Sequence, residues 1–213
     1  RLIVDRILEQ RSDDAIIVEE GADTAGTSGV SWLVDPIDGT TNFLYGFPGF
    51  AASIGAEVDG QRAVGVVHDP LHGEVFAAVV GRGATRNGAA VRCSAKDDLA
   101  TALVATGFGY DASRRAAQAA VLGRVIPHIR DIRRMGAASV DLCSVACGRL
   151  DGYYERGLAP WDLAAGALIA TEAGARVGDL EGGPPSGDFV LATAPGLFAP
   201  LKRLLTDAGA GSA

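Results

Sequence analysis

Three groups of acidic side chains stand out, because each lies at a point where an apolar segment ends or a helical segment begins. The groups are Glu19 with Glu20, Asp35 with Asp38, and Asp162. Carboxylate oxygens are hard ligands, which suit Mg²⁺ better than they suit zinc or copper. The sequence therefore predicts that carboxylates from separate parts of the chain contribute to a Mg²⁺ site.

The segment 35–38, with the sequence D-P-I-D, is central to this prediction. Pro36 predicts that the preceding strand ends at residue 34, because proline has no N–H to donate to a neighbouring strand. A tight turn there directs both carboxylates and the Ile37 carbonyl to one side. Gly39 and Thr40 then offer N–H groups to a phosphate if a helix begins there. A bare D-P-x-D-G string is more typical of an ordinary turn.

The bulk composition restricts the class of protein. The chain has 213 residues, of which 48% are hydrophobic, enough for one large domain or two packed units. Its net charge of −7 opposes the binding of nucleic acid, and bound metal would offset the repulsion of a phosphate substrate. Three cysteines without paired spacing favour a reducing cytoplasm, and no apolar run is long enough to cross a membrane.

The hydrophobic patterns predict two consecutive halves, residues 1–98 and residues 99–213. The first half is α+β with an antiparallel meander over 51–92, in which Asp59-Gly60 and Asn87-Gly88 are hairpin turns. The second half alternates strands with helices, and Asp162 is the expected N-cap of a helix over 163–173. The other expected helices are 1–10, 116–126, 138–147 and 197–205, and the other strands are 15–18, 30–34, 131–135, 152–155 and 189–192.

Two ordered strings resemble the signatures of the inositol monophosphatase family. Residues 32–43 read W-L-V-D-P-I-D-G-T-T-N-F, and residues 160–166 read P-W-D-L-A-A-G, with T-E-A-G following at 171–174. Glu19-Glu20 resembles the acidic pair upstream of the first signature. Residues 133–138 resemble the R-x-x-G-[ST]-A-A segment, and Tyr153-Tyr154-Glu155 also has a counterpart.

The resemblance implies a fold and a reaction. The fold is the layered α-β-α-β-α sandwich of the Mg²⁺-dependent, lithium-sensitive sugar phosphatases. The reaction is hydrolysis of a small phosphate monoester, above all myo-inositol 1-phosphate to inositol and phosphate, by a metal-activated water in an in-line displacement. The resemblance also implies a homodimer, while the composition predicts a cytoplasmic protein with no membrane or nucleic acid as partner. Because the chain begins with Arg1 inside an expected helix, an upstream helical segment is also expected.

Alternatives remain open at this stage. Within the same superfamily they are a fructose-1,6-bisphosphatase, an NADP phosphatase and a histidinol-phosphate phosphatase. A regulatory binding protein that retains the fold belongs to another class. Its only support in the sequence is the basic cluster of Arg130, Arg133 and Arg134.

Residue roles follow from the resemblance, position by position, for two to three Mg²⁺ ions. The implied ligands of one ion are Glu19, Asp35 and the Ile37 carbonyl, those of a second are Asp35, Asp38 and Asp162, and a third ion lies near Glu19. Thr40 and Glu19 orient the attacking water, so the catalytic set is Glu19, Asp38 and Thr40. The implied substrate contacts are Gly39, Thr40, Ala138, Glu155 and Asp162.

Three departures from the family pattern stand out. Val18 replaces a glycine before the acidic pair, which we expect to have little effect. Ala137 stands where the family often has Ser or Thr, so one hydroxyl near the substrate is absent. The family's Asp in a T-x-x-D-like segment aligns just before Arg1, and we expect it in an upstream segment.

Overall fold

The computed structural model describes residues 1–212, which form six α-helices and twelve strands. The helices are α1 (Leu2–Gln10), α2 (Thr40–Leu44), α3 (Ala112–Val125), α4 (Ala138–Ala146), α5 (Pro160–Glu172) and α6 (Pro195–Asp207). The strands of the first half are β1 (Ala15–Val18), β2 (Val30–Asp38), β3 (Ala51–Val58), β4 (Gln61–Asp69), β5 (Glu74–Val79), β6 (Ala84–Arg86) and β7 (Ala89–Ala90). Those of the second half are β8 (Leu103–Thr106), β9 (Asp131–Arg133), β10 (Gly152–Glu155), β11 (Arg176–Gly178) and β12 (Val190–Thr193).

The strands form two sheets. The first contains seven strands in chain order, antiparallel except for the parallel pair β1 and β2. The second has the order β11-β12-β10-β8-β9, and β8 runs parallel to both β9 and β10. Because β8 and β10 are parallel, the residues that follow them emerge at the same edge of the sheet.

Alternating burial separates the molecule into layers. Val67 and Phe76 of the first sheet pack with α4 and α5, and so does Tyr153 of the second sheet. The opposite face of the second sheet, including Tyr154, packs against α3 and α6. The opposite face of the first sheet packs against α1. The order is therefore α1, sheet, α4 with α5, sheet, α3 with α6, which confirms the predicted α-β-α-β-α sandwich. Among residues 1–212, none of the helices combines the length and apolar character that a membrane crossing needs.

The two predicted hairpin turns are confirmed. Asp59 and Gly60 have φ of 50° and 75°, and Asn87 and Gly88 have φ of 51° and 79°. Asp and Asn tolerate this left-handed region better than other side chains, which explains why these dipeptides connect tight hairpins.

Several predicted boundaries are wrong. The helix predicted over 116–126 begins at Ala112, because Asp111 caps it by accepting a hydrogen bond from the Arg114 N–H, and the strand predicted over 131–135 ends at Arg133.

Two further boundaries lie beside the acidic groups. Strand β2 continues past Pro36 to Asp38, because a shift of register between Asp35 and Asp38 takes the proline out of the hydrogen-bonding ladder. Helix α5 begins at Pro160, so Asp162 is its third residue and not its N-cap. Proline suits the first helical position, where an N–H has no partner in the helix.

Close contact between α5 and the first sheet depends on two glycines. A Cβ atom at Gly55 would lie 2.6 Å from the Cβ of Ala164, and one at Gly65 would lie 2.8 Å from the carbonyl oxygen of Ala165. The missing side chains let the helix lie directly on β3 and β4. This contact sets the position of Asp162 relative to β2.

Gly65→Ala should therefore lower the free energy of unfolding by about 1–3 kcal/mol, because backbone atoms of α5 must move. The matched control is Gly123→Ala on α3, where an added Cβ meets no atom within 4 Å. That change should stabilise the protein by roughly 0.5–1 kcal/mol, since alanine is the better helix former. Denaturant unfolding measures both variants. Equal effects would contradict the close packing of α5.

A buried carboxylate joins α1 to the start of β2. Asp14 is 1% exposed and accepts hydrogen bonds from Ser28 Oγ at 2.6 Å and Trp32 Nε1 at 2.8 Å, and from the Arg11 guanidinium. The Arg11 hydrogen bond is the main cause that lowers the pKa of Asp14 to about 2. The network holds both ends of the loop that carries Glu19 and Glu20.

Asp14→Asn should lower the melting temperature at pH 7 by roughly 3–6 °C, because it removes charge-assisted hydrogen bonds. A depressed pKa stabilises the fold above the unfolded value of about 3.9, and this stabilisation is lost as the pH falls toward about 2. The difference in melting temperature between wild type and variant should thus shrink between pH 4 and pH 2. A difference independent of pH would contradict the role given to the charge.

Candidate active site

Three carboxylates meet in a cleft at the end of β2. Ligand oxygens of Asp35, Asp38 and Asp162 all lie within 4.8 Å of one another. Glu19 lies at the same cleft, and its carboxyl group is close enough to Asp35 to raise the pKa of Asp35. The acidic groups that the sequence singled out are therefore neighbours, although more than a hundred residues separate the first from the last.

The register shift in β2 shapes the floor of the cleft. Asp35 Oδ1 accepts a hydrogen bond from the Ile37 N–H at 2.9 Å, and the Ile37 carbonyl accepts one from Thr40 Oγ1 at 3.0 Å. Gly39 has φ of 88°, and a Cβ there would lie 2.6 Å from the Gly49 carbonyl oxygen. Only glycine fits this position, which explains why a glycine separates Asp38 from Thr40 in the string.

Asp162 is held from the first turn of α5. Its Oδ2 accepts a hydrogen bond from the Ala159 N–H at 2.7 Å, which satisfies a donor at the helix N-terminus. The buried Ser53 of β3 donates its hydroxyl to the Trp161 carbonyl at 3.3 Å. Together with the Gly55 and Gly65 contacts, these bonds fix the end of α5 against the sheet that carries Asp35 and Asp38.

The electrostatics of the cleft oppose simultaneous ionisation of its carboxyl groups. Burial, and then the charges of Asp38 and Glu19, raise the pKa of Asp35 strongly. Burial raises the pKa of Asp38 to about 7, against two hydrogen bonds from Ser139 that lower it. Burial likewise raises the pKa of Asp162 to about 6. Like charges at this spacing require either protons or a cation.

A divalent cation fits these residues. The donor set consists of carboxylate oxygens with a backbone carbonyl close by, which is the chemistry that hard cations prefer. Carboxyl groups with raised pKa values hold protons that a bound cation can displace, and the open cleft gives a cation access to them.

The cleft also contains the predicted substrate contacts. Ala138 and Glu155 line it together with Gly39 and Thr40. Glu155 Oε2 accepts a hydrogen bond from Tyr153 Oη at 2.6 Å, and burial raises the pKa of Glu155.

Several lining residues were not predicted. Phe108 and Tyr110 follow β8, and Arg134 precedes α4. Arg134 was expected only as part of the basic cluster with Arg130 and Arg133, with no role at the site. A signal was present in the run 107–110, because G-F-G-Y follows an apolar strand, but only the parallel pairing of β8 with β10 brings it to Glu155. Gly107 is essential there, since a Cβ would overlap the Glu155 carboxylate.

Comparison with known proteins identifies the family. The model of the inositol monophosphatase family matches residues 1–209, so the chain belongs to that family. An inositol-1-monophosphatase of Mycobacterium leprae is 50% identical over 218 residues, covering 95% of this chain and 75% of that protein. A protein of Pasteurella multocida named Nus factor SuhB is 46% identical over 183 residues, covering 85% of this chain and 68% of that protein.

Solved structures agree with this assignment. The inositol monophosphatase of Anabaena has a TM-score of 0.92 at 36% identity, covering 97% of this chain and 83% of that chain. Mycobacterium tuberculosis SuhB has a TM-score of 0.87 at 46% identity, covering 98% and 82% respectively. The family is one of metal-dependent phosphatases, which agrees with the carboxylate cluster.

Asp38→Asn tests the electrostatics of the cleft. The asparagine oxygen can still accept both hydrogen bonds from Ser139, so the fold should persist. In metal-free protein at pH 8 the variant should melt roughly 5 °C higher than wild type, because the charge that burial opposes is gone.

The sign follows from the pKa of Asp38, which folding raises to about 7. Stability is therefore lost as the pH rises from about 4 through 7, and the advantage of the variant should appear over that range. Added Mg²⁺ should stabilise wild type and have little effect on the variant. Calorimetric scans with and without chelator make the comparison, and a less stable metal-free variant at pH 8 would contradict the account.

Proposed function

We propose that this protein is a Mg²⁺-dependent phosphomonoesterase, with myo-inositol 1-phosphate as its preferred substrate. The observation that carries the proposal is the meeting of Asp35, Asp38 and Asp162 within 4.8 Å in an open cleft. Membership in a family of phosphatases adds to it, as does the name inositol-1-monophosphatase of the mycobacterial relative.

The proposed ligand sets are those that the resemblance implies. Glu19, Asp35 and the Ile37 carbonyl would hold one Mg²⁺, while Asp35, Asp38 and Asp162 would hold a second. Glu19 would also contribute to binding a third ion. Divalent ions bound there would supply activation of water and stabilisation of charge on the leaving oxygen.

The chain's own groups orient the reactants. The Thr40 hydroxyl donates a hydrogen bond to the Ile37 carbonyl, so its oxygen lone pairs are free to accept a hydrogen bond from a water. Glu19 also contacts this water. The N–H groups of Gly39 and Thr40 bind phosphate oxygens. A substrate held this way presents phosphorus to the water in line with the leaving alcohol.

The alcohol half of the substrate lies toward Ala138, Glu155 and Asp162. Tyr153 Oη already donates a hydrogen bond to Glu155 Oε2, which leaves Oε1 to accept a hydrogen bond from a substrate hydroxyl. The small side chain of Ala138 leaves room for a ring. A polyol with a hydroxyl next to the ester satisfies both features.

Arg134 favours a second class of substrates, those with an additional anionic group. It is the one basic side chain among the lining residues of the cleft within 1–212, and it forms no hydrogen bond or ion pair there. A bisphosphate such as fructose 1,6-bisphosphate, or NADP, would bring a second phosphate to it. Histidinol phosphate, which lacks one, gains nothing from this arginine.

Relatives named Nus factor SuhB motivate an alternative of another class, a binding protein that retains the fold. A protein without catalysis has no need for buried carboxylates that repel one another. We therefore favour the enzyme. The three cysteines are free, which agrees with a cytoplasmic location, and we propose a homodimer as in the family.

A phosphate-release panel with Mg²⁺ tests these proposals. Inositol 1-phosphate should be hydrolysed fastest, ahead of fructose 1,6-bisphosphate, NADP, histidinol phosphate and adenosine 3′,5′-bisphosphate. Asp38→Asn should lower kcat/KM by at least about 100-fold, because a metal ligand is lost. Lithium should inhibit the wild type. Release from none of the five esters would overturn the enzymatic proposal and favour the binding protein.

Arg134→Ala tests the second anion contact in the same panel. It should lower kcat/KM for fructose 1,6-bisphosphate roughly tenfold, the typical loss of a charged hydrogen bond, and leave inositol 1-phosphate within about twofold. The control is Arg133→Ala, since Arg133 is exposed and bonds to Asp131 at 2.8 Å. An equal loss for both esters would contradict a role in substrate choice.

A further inference from the structure

A buried serine outside the predicted site binds one of its carboxylates. Ser139, in the first turn of α4, is 0% exposed. Its backbone N–H donates to Asp38 Oδ2 at 2.7 Å, and its hydroxyl donates to the same oxygen at 2.5 Å. Within residues 1–212, no hydrogen bond reaches Asp38 Oδ1.

The hydroxyl has no ordinary helical partner. A serine inside a helix usually bonds to the carbonyl four residues earlier, which here is that of Met135. That carbonyl precedes α4 and already accepts a hydrogen bond from Asn42 Nδ2 at 2.6 Å. Ala137, which lacks the hydroxyl that the family often has at this position, lies against Gly39. The chain thus has its hydroxyl at 139, where it meets Asp38.

Two donors on one oxygen restrict how Asp38 can bind a cation. A carboxylate oxygen has two lone pairs, and the N–H and O–H of Ser139 occupy both on Oδ2. Only Oδ1 remains for a cation. Mg²⁺ forms octahedral sites with single oxygens, whereas Ca²⁺ takes six to eight oxygens and often both from one carboxylate.

We propose that Ser139 is a positioning residue that makes Asp38 a one-oxygen ligand and so favours Mg²⁺ over Ca²⁺ at this site. The proposal deepens the phosphatase assignment and rests on it for the identity of the cation. It differs from that assignment because it concerns metal choice, which binding measures without any substrate.

The test is calorimetric titration of the full chain with Mg²⁺ alone and Ca²⁺ alone. Ser139→Ala removes the hydroxyl and keeps the N–H, so Oδ2 regains a lone pair. The Kd for Mg²⁺ should rise about tenfold, the usual effect of losing a hydrogen bond to a metal ligand. The Kd for Ca²⁺ should rise less or fall, so the ratio of the two constants should shift at least about threefold toward Ca²⁺.

Two controls separate positioning from general destabilisation. Ser144→Ala, on the same helix, should leave both constants unchanged. Ser139→Thr keeps a hydroxyl and should restore the wild-type preference. A lower melting temperature in Ser139→Ala with an unchanged ratio of constants would overturn the proposal.

A separate outcome concerns the phosphatase assignment. If the ratio shifts as expected while no ester is hydrolysed, the positioning role of Ser139 stands and the enzymatic proposal fails. If esters are hydrolysed and the ratio does not shift, the enzymatic proposal stands and the positioning role of Ser139 fails.

Discussion

Repulsion among Asp35, Asp38 and Asp162 is the constraint on which the architecture depends. Their ligand oxygens lie within 4.8 Å of one another, and two of the three residues are buried. Folding must bring them together from β2 and α5 against their own charge. The packing that does so is unusually close, since Gly55 and Gly65 leave no space for side chains between α5 and the sheet. A cation relieves the repulsion, so binding and folding are linked.

The layered fold and the acidic groups could be predicted because their signals are local. Asp59-Gly60 and Asn87-Gly88 require left-handed backbone, and apolar alternation marks both sheets. The resemblance then supplied the order of the layers. Strand β2 was harder, because a proline normally ends a paired strand. The register shift of β2 arises in its pairing with β3, so it cannot be read from residues 35–38 alone.

The rest of the cleft depends on tertiary contacts that no segment reveals. Tyr110 lines it because β8 runs parallel to β10, and Arg134 lines it because β9, which precedes Arg134, runs parallel to β8. Asp162 was expected as the N-cap, yet it is the third residue of the helix and accepts a hydrogen bond from the Ala159 N–H. Ser139 carried no predicted role, because its hydrogen bond to Asp38 joins residues 101 positions apart. The sequence shows which residues are acidic. Tertiary packing determines which of their carboxylate oxygens are free to bind a cation.

The central claim is that these three carboxylates hold a divalent cation. Anomalous diffraction from crystals of the full chain grown with Mn²⁺ tests it most directly, because Mn²⁺ shares the oxygen preference of Mg²⁺ and has a measurable signal. We predict a peak bonded to Asp35, Asp38 and Asp162, with Asp38 binding through Oδ1 alone. A map with no peak between these side chains at saturating Mn²⁺ would contradict the account.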